Sequence, residues 1–354
     1  MAIILGILGG GQLGRMSAMA AARLGVIVHI YAPEENCPAS FVTPYHTCAD
    51  YDDWSALEKF AEQCDYISYE FENIPVETVD FLDKIKAVYP KSSLLQVSQN
   101  RLLEKQFLND HGVETAPWAA CYKSGDITDT LQKWGEDSCI IKTTRFGYDG
   151  KGQVKHTPST SEQKSWESLQ TDEAIIEGII DFDYEISVII ARDVNGQSAC
   201  YPPVVNEHKN HILSKTIAPA PIDKAIADQA ISMGEKLAEA VNLVGVMALE
   251  LFVTKQGKLL ANEIAPRTHN SGHWTMDACA VSQFENHVRC VCGMDIGDTT
   301  AHSSAEMINL IGDDIDGLDD YYAMSHAHVH LYGKEQARPG RKMGHVNILK
   351  KTSS

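Results

Sequence analysis

The stretch Ile3-Ile4-Leu5-Gly6-Ile7-Leu8-Gly9-Gly10-Gly11-Gln12-Leu13-Gly14-Arg15 decides how the first third of the chain folds. An apolar run, a glycine turn, then apolar residues at Leu13, Met16, Met19, Ala20 and Leu24 spell strand, turn and helix. Outward from it come a second apolar run, Val26 to Tyr31, a helical pattern from Trp54 to Cys64, and a third strand from Tyr66 to Tyr69. Pro75 follows at the first-turn position of another helix. Strands alternating with helices predict a parallel α/β sheet.

Glycines at such a turn let the backbone approach an anion at the helix N-terminus, where free N–H groups and the helix dipole favour negative charge. The spacing Gly9-x-Gly11-x-x-Gly14, with Glu34 or Glu35 after the second strand, also matches a dinucleotide fingerprint. A nicotinamide-dependent dehydrogenase is therefore one reading of this region. Glu70 and Glu72, just past the third strand, fall at the carboxyl edge where open sheets bind ligands.

The chain's 354 residues predict two or three domains, and 44% hydrophobic content makes it globular. A net charge of -18 excludes nucleic acid or an anionic membrane as the main partner, since either needs a basic face. No apolar run reaches the length of a membrane span, and Met1 to Leu8 lacks a secretory pattern. Nine scattered cysteines fit reduced thiols, so a cytoplasmic setting is expected. Cys290-Val291-Cys292 lacks the partner pair a zinc site needs.

A helix carrying Arg101 and Lys105 leads to a boundary at Thr115-Ala116-Pro117, and a small α+β region runs to about Asp181. Within it, Cys139 to Lys142 reads as a strand ending in lysine, followed by the glycine-rich loop Phe146-Gly147-Tyr148-Asp149-Gly150-Lys151-Gly152-Gln153. Such a backbone suits closure over phosphates, although it is not a Walker A loop. The apolar segment Ile175 to Ile180, containing Glu177, precedes Glu185; its edge and that carboxylate suit an adenine and a ribose. Strands Ile186 to Ala191 and Ser198 to Tyr201 flank Asn195-Gly196, and a helix spans Ile222 to Val241.

A hairpin follows, Val244 to Val253 and Leu259 to Ala261, turning at Lys255-Gln256-Gly257. It brings Glu250 and Glu263 within reach of one hard cation. Pro266 ends the second arm, and Arg267, His269, Asn270 and His273 supply donors suited to a small oxyanion. A helix is expected over Val281 to Cys292, and strands over Met307 to Ile311 and His326 to Leu331. Four cations around the Pro339-Gly340 turn, among them Lys334 and Arg341, suggest an anion pocket.

Together the segments resemble the ATP-grasp superfamily, and within it the 5-(carboxyamino)imidazole ribonucleotide synthases. The resemblance runs from Gly9 to Lys342 and rests most specifically on Gly147 to Gln153 and Ala265 to Trp274. It implies three domains: a Rossmann-like N-terminal domain (1-116), a small middle domain bearing the lid loop (117-181), and a C-terminal domain with the metal and bicarbonate site (182-354). It implies ATP contacts at Arg101, Lys142, Gly147, Tyr148, Asp149, Gly150, Lys151, Gly152, Gln153, the adenine-facing Glu177, Gly178, Ile179 and Ile180, then Glu185, His208, Asn262 and Glu263. Magnesium would lie on Glu250 and Glu263. Arg267, His269 and Asn270 would position bicarbonate, with Lys142 on the phosphates. Aminoimidazole ribonucleotide would meet Gln12, Leu13, Gly14, Glu72, Tyr148, Lys151, Arg267, Lys334 and Arg341. Bicarbonate would attack the γ-phosphate of ATP to give carboxyphosphate, which carboxylates the exocyclic amine directly or after releasing carbon dioxide; another ATP-grasp ligase or transformylase is the nearest alternative. A homodimer is also implied. Lys151 stands where some relatives carry Arg, keeping charge while losing bidentate geometry.

Overall fold

A computed structural model describes residues 2–147 and 150–350. The chain opens β1 (Ile4–Leu8), α1 (Gln12–Arg23), β2 (Ile27–Ala32), β3 (Tyr45–Cys48), α2 (Trp54–Glu62), β4 (Tyr66–Tyr69), α3 (Val76–Asp83), α4 (Ser92–Gln99) and α5 (Arg101–Asp110). The sheet runs β3-β2-β1-β4, all parallel, as the alternation predicts. β3 was not expected. Its Tyr-His-Thr-Cys sequence is half exposed on an edge, so no apolar run marks it, and Tyr66–Tyr69 is the fourth strand and not the third. Gly6 lets β1 press against Phe60, whose ring would lie 2.6 Å from an added Cβ.

The middle region comprises β5 (Trp118–Cys121), α6 (Gly125–Trp134), β6 (Cys139–Thr143), β7 (Gln153–His156), α7 (Glu162–Glu167) and β8 (Ala174–Gly178). Its antiparallel sheet, ordered β5-β8-β6-β7, buries Cys121, Ile127, Leu131, Ile141 and Ile176 in a core of its own. The glycine-rich loop joins β6 to β7, so both ends of the lid are anchored on adjacent strands.

The remaining chain forms β9 (Phe182–Arg192), β10 (Ser198–Cys200), β11 (Val204–Lys209), β12 (Ile212–Ala218), α8 (Lys224–Ala240), β13 (Gly245–Thr254), β14 (Leu259–Ala265), α9 (Thr275–Ala278), α10 (Gln283–Val291), β15 (Ser304–Ile311), α11 (Leu318–Tyr322), β16 (Ala327–Leu331) and β17 (Lys342–Lys350). One large sheet runs β14-β13-β9-β11-β12-β15-β17-β16, with β10 on β9. The stretch after the Pro-Gly turn is thus a nine-residue strand between β15 and β16, which the sequence reading treated as a basic turn and a tail. Its apolar run from Met343 is interrupted by Gly344, His345 and Asn347, all buried, and this masked it.

Helix α10 ties the first sheet to the last. Its buried His287 accepts from the Val246 N–H at Nδ1, 3.2 Å away, and meets the Ser68 hydroxyl of β4 at Nε2, 2.8 Å away. Burial holds this imidazole neutral, its pKa lowered to about 4. Among the described residues, no helix is long and apolar enough to cross a membrane.

Candidate active site

The three sheets meet at a cleft of about 700 Å³. Its floor is the β13–β14 hairpin, whose register sets Glu250 directly opposite Glu263. Alternation then places Phe252 beside Glu250, and Glu185 and Ser187 on the neighbouring β9. Glu250 has its pKa driven well above the usual carboxylate range by burial, then by the charges of Glu263 and Glu185. Glu185 is pushed up to about 7 by burial and Glu263, and lies 3.4 Å from His208 Nδ1. Three carboxylates, Glu185, Glu250 and Glu263, are thereby crowded into one cleft.

That donor set fits magnesium. Among the described residues no group of three or more His, Cys, Asp or Glu is arranged to hold a metal. Magnesium is commonly held by one or two carboxylates, completing its octahedron with phosphate oxygens and water, so the opposed pair is enough.

The second wall is built by α5, capped at Asn100, whose Oδ1 accepts the Leu102 and Leu103 N–H groups. Helical spacing puts Arg101, Glu104 and Lys105 on one face. Arg101 pairs with Glu263 at 3.5 Å and donates to the Gly147 carbonyl at the start of the lid. Lys105, 2% exposed, donates to the Asn262 carbonyl at 2.6 Å and pairs with Glu177 at 2.9 Å. Glu177 also binds Lys142, so its carboxylate locks the lysine strand to α5. These two cations hold its pKa down to about 2 against the opposing effect of burial. Glu104 accepts the Ile264 N–H, and burial with nearby Glu263 pushes its pKa up to about 8.

On the third wall Arg267 grips Glu72: Nε meets Oε2, and Nη2 reaches Oε1 at 2.8 Å. Nη1 donates to the Thr268 carbonyl, which leaves one N–H on each terminal nitrogen for a ligand. Burial raises the Glu72 carboxyl, but Arg267 outweighs it and brings it to about 2. His269 lies 3.2 Å from Glu250 and is held neutral, near 3, by burial and Arg267. Asn270 opens a short 3-10 turn, and both polar atoms of its side chain are buried without a hydrogen-bond partner among the described residues.

The cleft thus gathers Gln12, Leu13, Glu72, Arg101, Lys142, Gly147, Gly150, Lys151, Gln153, Glu185, His208, Glu250, Asn262, Glu263, Arg267, His269 and Asn270. Gly14 is at the same edge, its N–H bound by Glu70, whereas Gly152, near the end of the lid, has its carbonyl accepting from the Thr143 N–H and does not line the cleft. Tyr148 and Asp149 lie outside the described residues. Glu177, Gly178, Ile179 and Ile180 do not line the cleft; Gly178 is bonded through its N–H to the Pro117 carbonyl. Lys334 and Arg341 instead line a smaller pocket of about 230 Å³ with Asn36, Gly333 and Arg338, linked to the first where Lys334 donates to the Lys342 carbonyl. Burial and Arg341 lower Lys334 to about 8.

The dehydrogenase reading fails at its own motif. Glu70 fills the glycine turn, accepting from the Gly11 N–H and, at 2.7 Å, from the Gly14 N–H, so a carboxylate of the chain sits where a pyrophosphate would bind. Glu34 and Glu35 are exposed and do not line the cleft. Sequence reasoning missed Glu104 as a wall residue and this role for Glu70, and it places Lys342 only among the four cations of the Pro339-Gly340 turn. Only the spacing of Glu104 from Arg101 signalled its place.

A lysine strand, a glycine-rich lid between antiparallel strands and a carboxylate hairpin facing them define an ATP-grasp protein. Residues 106–284 match the ATP-grasp domain, 1–99 the ribonucleotide synthetase preATP-grasp domain, and 305–354 the phosphoribosylaminoimidazole carboxylase C-terminal domain. The chain is 47% identical to the N5-carboxyaminoimidazole ribonucleotide synthase of Brucella melitensis, over 98% of this chain and 96% of that protein. It superposes on the Staphylococcus aureus synthetase complexed with ADP with a TM-score of 0.94 at 35% identity, covering 99% of this chain and 95% of the other. The Aspergillus clavatus synthase in complex with ADP and 5-aminoimidazole ribonucleotide gives 0.92 at 26% identity, covering 99% and 94%. The chain belongs to the N5-carboxyaminoimidazole ribonucleotide synthase family.

Proposed function

We propose that this chain is an ATP-dependent ligase that carboxylates the exocyclic amine of 5-aminoimidazole ribonucleotide, using bicarbonate, in purine biosynthesis. The observation that carries it is the convergence in one cleft of the Glu250–Glu263 pair, the Lys142 and lid wall, and the Arg267–His269–Asn270 wall. A bicarbonate oxygen bonds to the γ-phosphorus of ATP as ADP leaves, giving carboxyphosphate. The amine nitrogen then bonds to the carboxyl carbon, phosphate departs and one amine proton is lost.

Glu250 and Glu263 would hold magnesium, whose charge offsets that of the phosphates. Arg101 and Lys142 steady the transferring phosphoryl group, and the two remaining Arg267 N–H groups with the Asn270 amide hold bicarbonate. The lid from Gly147 to Gln153 excludes water from carboxyphosphate, which hydrolyses readily. Glu185 and His208 sit together for the ribose. The ribonucleotide lies toward Gln12, Leu13 and Lys151, with its phosphate toward Lys334 and Arg341 of the smaller pocket. The three-domain division at 116 and 181 follows the three sheets, while a cytoplasmic homodimer rests on family resemblance and is checked by light scattering.

The test is ADP formation. It should require magnesium, bicarbonate and the ribonucleotide together; release that the ribonucleotide does not stimulate overturns the substrate assignment.

A further inference from the structure

His269 is the end of a buried chain of hydrogen bonds that the reaction scheme does not use. Its Nδ1 lies 2.8 Å from the Ser271 hydroxyl, and that oxygen accepts from the Ser187 hydroxyl at 2.7 Å. Ser187 in turn accepts from Asn206 Nδ2 at 2.7 Å, and Asn206 Oδ1 accepts from the Thr216 hydroxyl at 3.0 Å. All five residues are buried, at 9% exposure or less. Strand register explains the row: Ser187 pairs with Glu250, and Asn206 pairs with Thr216. The polar side chains thus cross the same sheet face as the carboxylate floor.

The direction of this chain is fixed at its active-site end. The Ser271 backbone N–H, which can only donate, points to His269 Nδ1 at 3.4 Å, so Nδ1 carries a lone pair. With Nδ1 as the acceptor, the ring N–H is Nε2, the nitrogen facing Glu250. Each hydroxyl passes on the same polarity: Asn206 donates to Ser187, Ser187 to Ser271, and Ser271 to Nδ1. Gln283 holds the loop itself, accepting from the His269 N–H at 2.9 Å and donating to its carbonyl at 2.6 Å.

We propose that Ser271, Ser187 and Asn206 are positioning residues that lock His269 as its Nε2–H tautomer, making it a hydrogen-bond donor toward Glu250 and the carboxylation site. His269 is then not the acceptor of the amine proton. The inference rests on the proposed carboxylation for its functional meaning, but the tautomer does not.

The test uses full-length protein labelled with 15N-histidine, without nucleotide. Of its 14 histidines, His269 is assigned by the signal lost in His269→Gln. Long-range 1H–15N correlation should show the Nε2–H form in the wild type, and a mixed or switched form in Ser271→Ala and Ser187→Ala. Thr216→Val, an isosteric change at the far end that keeps the fold, should shift the same signals less. In Ser271→Ala kcat should fall about tenfold while KM for ATP stays within about threefold. An Nδ1–H wild type, or an unchanged tautomer in the three variants, overturns the relay even where kcat falls. A switched tautomer with full kcat overturns its catalytic meaning. If ADP release proves independent of the ribonucleotide while the tautomer behaves as stated, the substrate assignment fails and the relay stands.

Discussion

Two glycine-rich turns in this chain read alike and behave differently. Gly9 to Gly14 opens α1, whereas the stretch from Gly147 to Gln153 joins two antiparallel strands, and glycines in either setting allow a close backbone approach to an anion. The first is filled by Glu70 from within the chain; the second faces a cleft whose opposite wall is the carboxylate hairpin. A glycine turn supplies the capacity to bind an anion, and what stands across from it decides whether that anion is a ligand or a neighbouring side chain.

The largest expected effect tests the wall opposite the lid. Glu263→Gln keeps the shape and removes one negative charge from the floor, so turnover should fall by about a thousandfold with circular dichroism unchanged. Near-normal rates would remove the metal role from Glu263 and leave the lid facing nothing that needs it.

Next comes the lid itself. Gly152 has φ +69°, and a Cβ there would lie 2.6 Å from the Thr143 hydroxyl. Gly152→Ala should displace the lid and cut kcat/KM for ATP about tenfold to a hundredfold, with little change in thermal stability. In Gly11→Ala the added Cβ would lie 2.6 Å from a Glu70 oxygen. This change should cost about 1–3 kcal/mol of stability, measured by denaturant unfolding. A variant as stable as wild type would mean that the first turn does not depend on its carboxylate.

How far these differences were legible depends on how local they are. The strand and glycine-turn pattern of β1 and α1, and the pairing of Glu250 with Glu263, follow from chain neighbours and one hairpin, so sequence alone placed them. Glu70 entering the Gly11–Gly14 turn spans 56 residues or more, and no short pattern records it. The same holds for Glu177, whose partners Lys105 and Lys142 come from another helix and strand. Strand β17 was hidden because its buried positions include His345 and Asn347, and Lys342 at its start was read as part of a turn.

Glu72 is close in sequence to Glu70, the carboxylate that fills the first turn, and pairs with Arg267 in the cleft that the second turn faces. Its pKa of about 2 stands below the ordinary 4.5, so the stabilisation from Arg267 is present above pH 4.5 and is lost as pH falls toward 2. Allowing for solvent at this partly exposed pair, the contribution is on the order of 1–2 kcal/mol. Glu72→Gln should therefore lower stability at pH 7 and flatten its decline between pH 4.5 and 2. An unchanged slope in that window would mean that other groups govern acid unfolding.

The smallest expected effect is the sharpest test of what fills the first turn. If that turn bound a dinucleotide, the acid after β2 would hold a ribose, and removing Glu34 and Glu35 would weaken the complex. Both are exposed, and the turn they would serve is occupied by Glu70. Exposed substitutions away from such contacts change free energies by about 0.5 kcal/mol or less, so the Glu34→Ala/Glu35→Ala protein should make ADP within about twofold of the wild-type rate. NADH titrated against the intrinsic fluorescence of either protein should give no saturable response. Saturable binding to the wild type, lost in the double variant, would show that a dinucleotide displaces Glu70, and that the two turns differ in the strength of their occupant and not in kind.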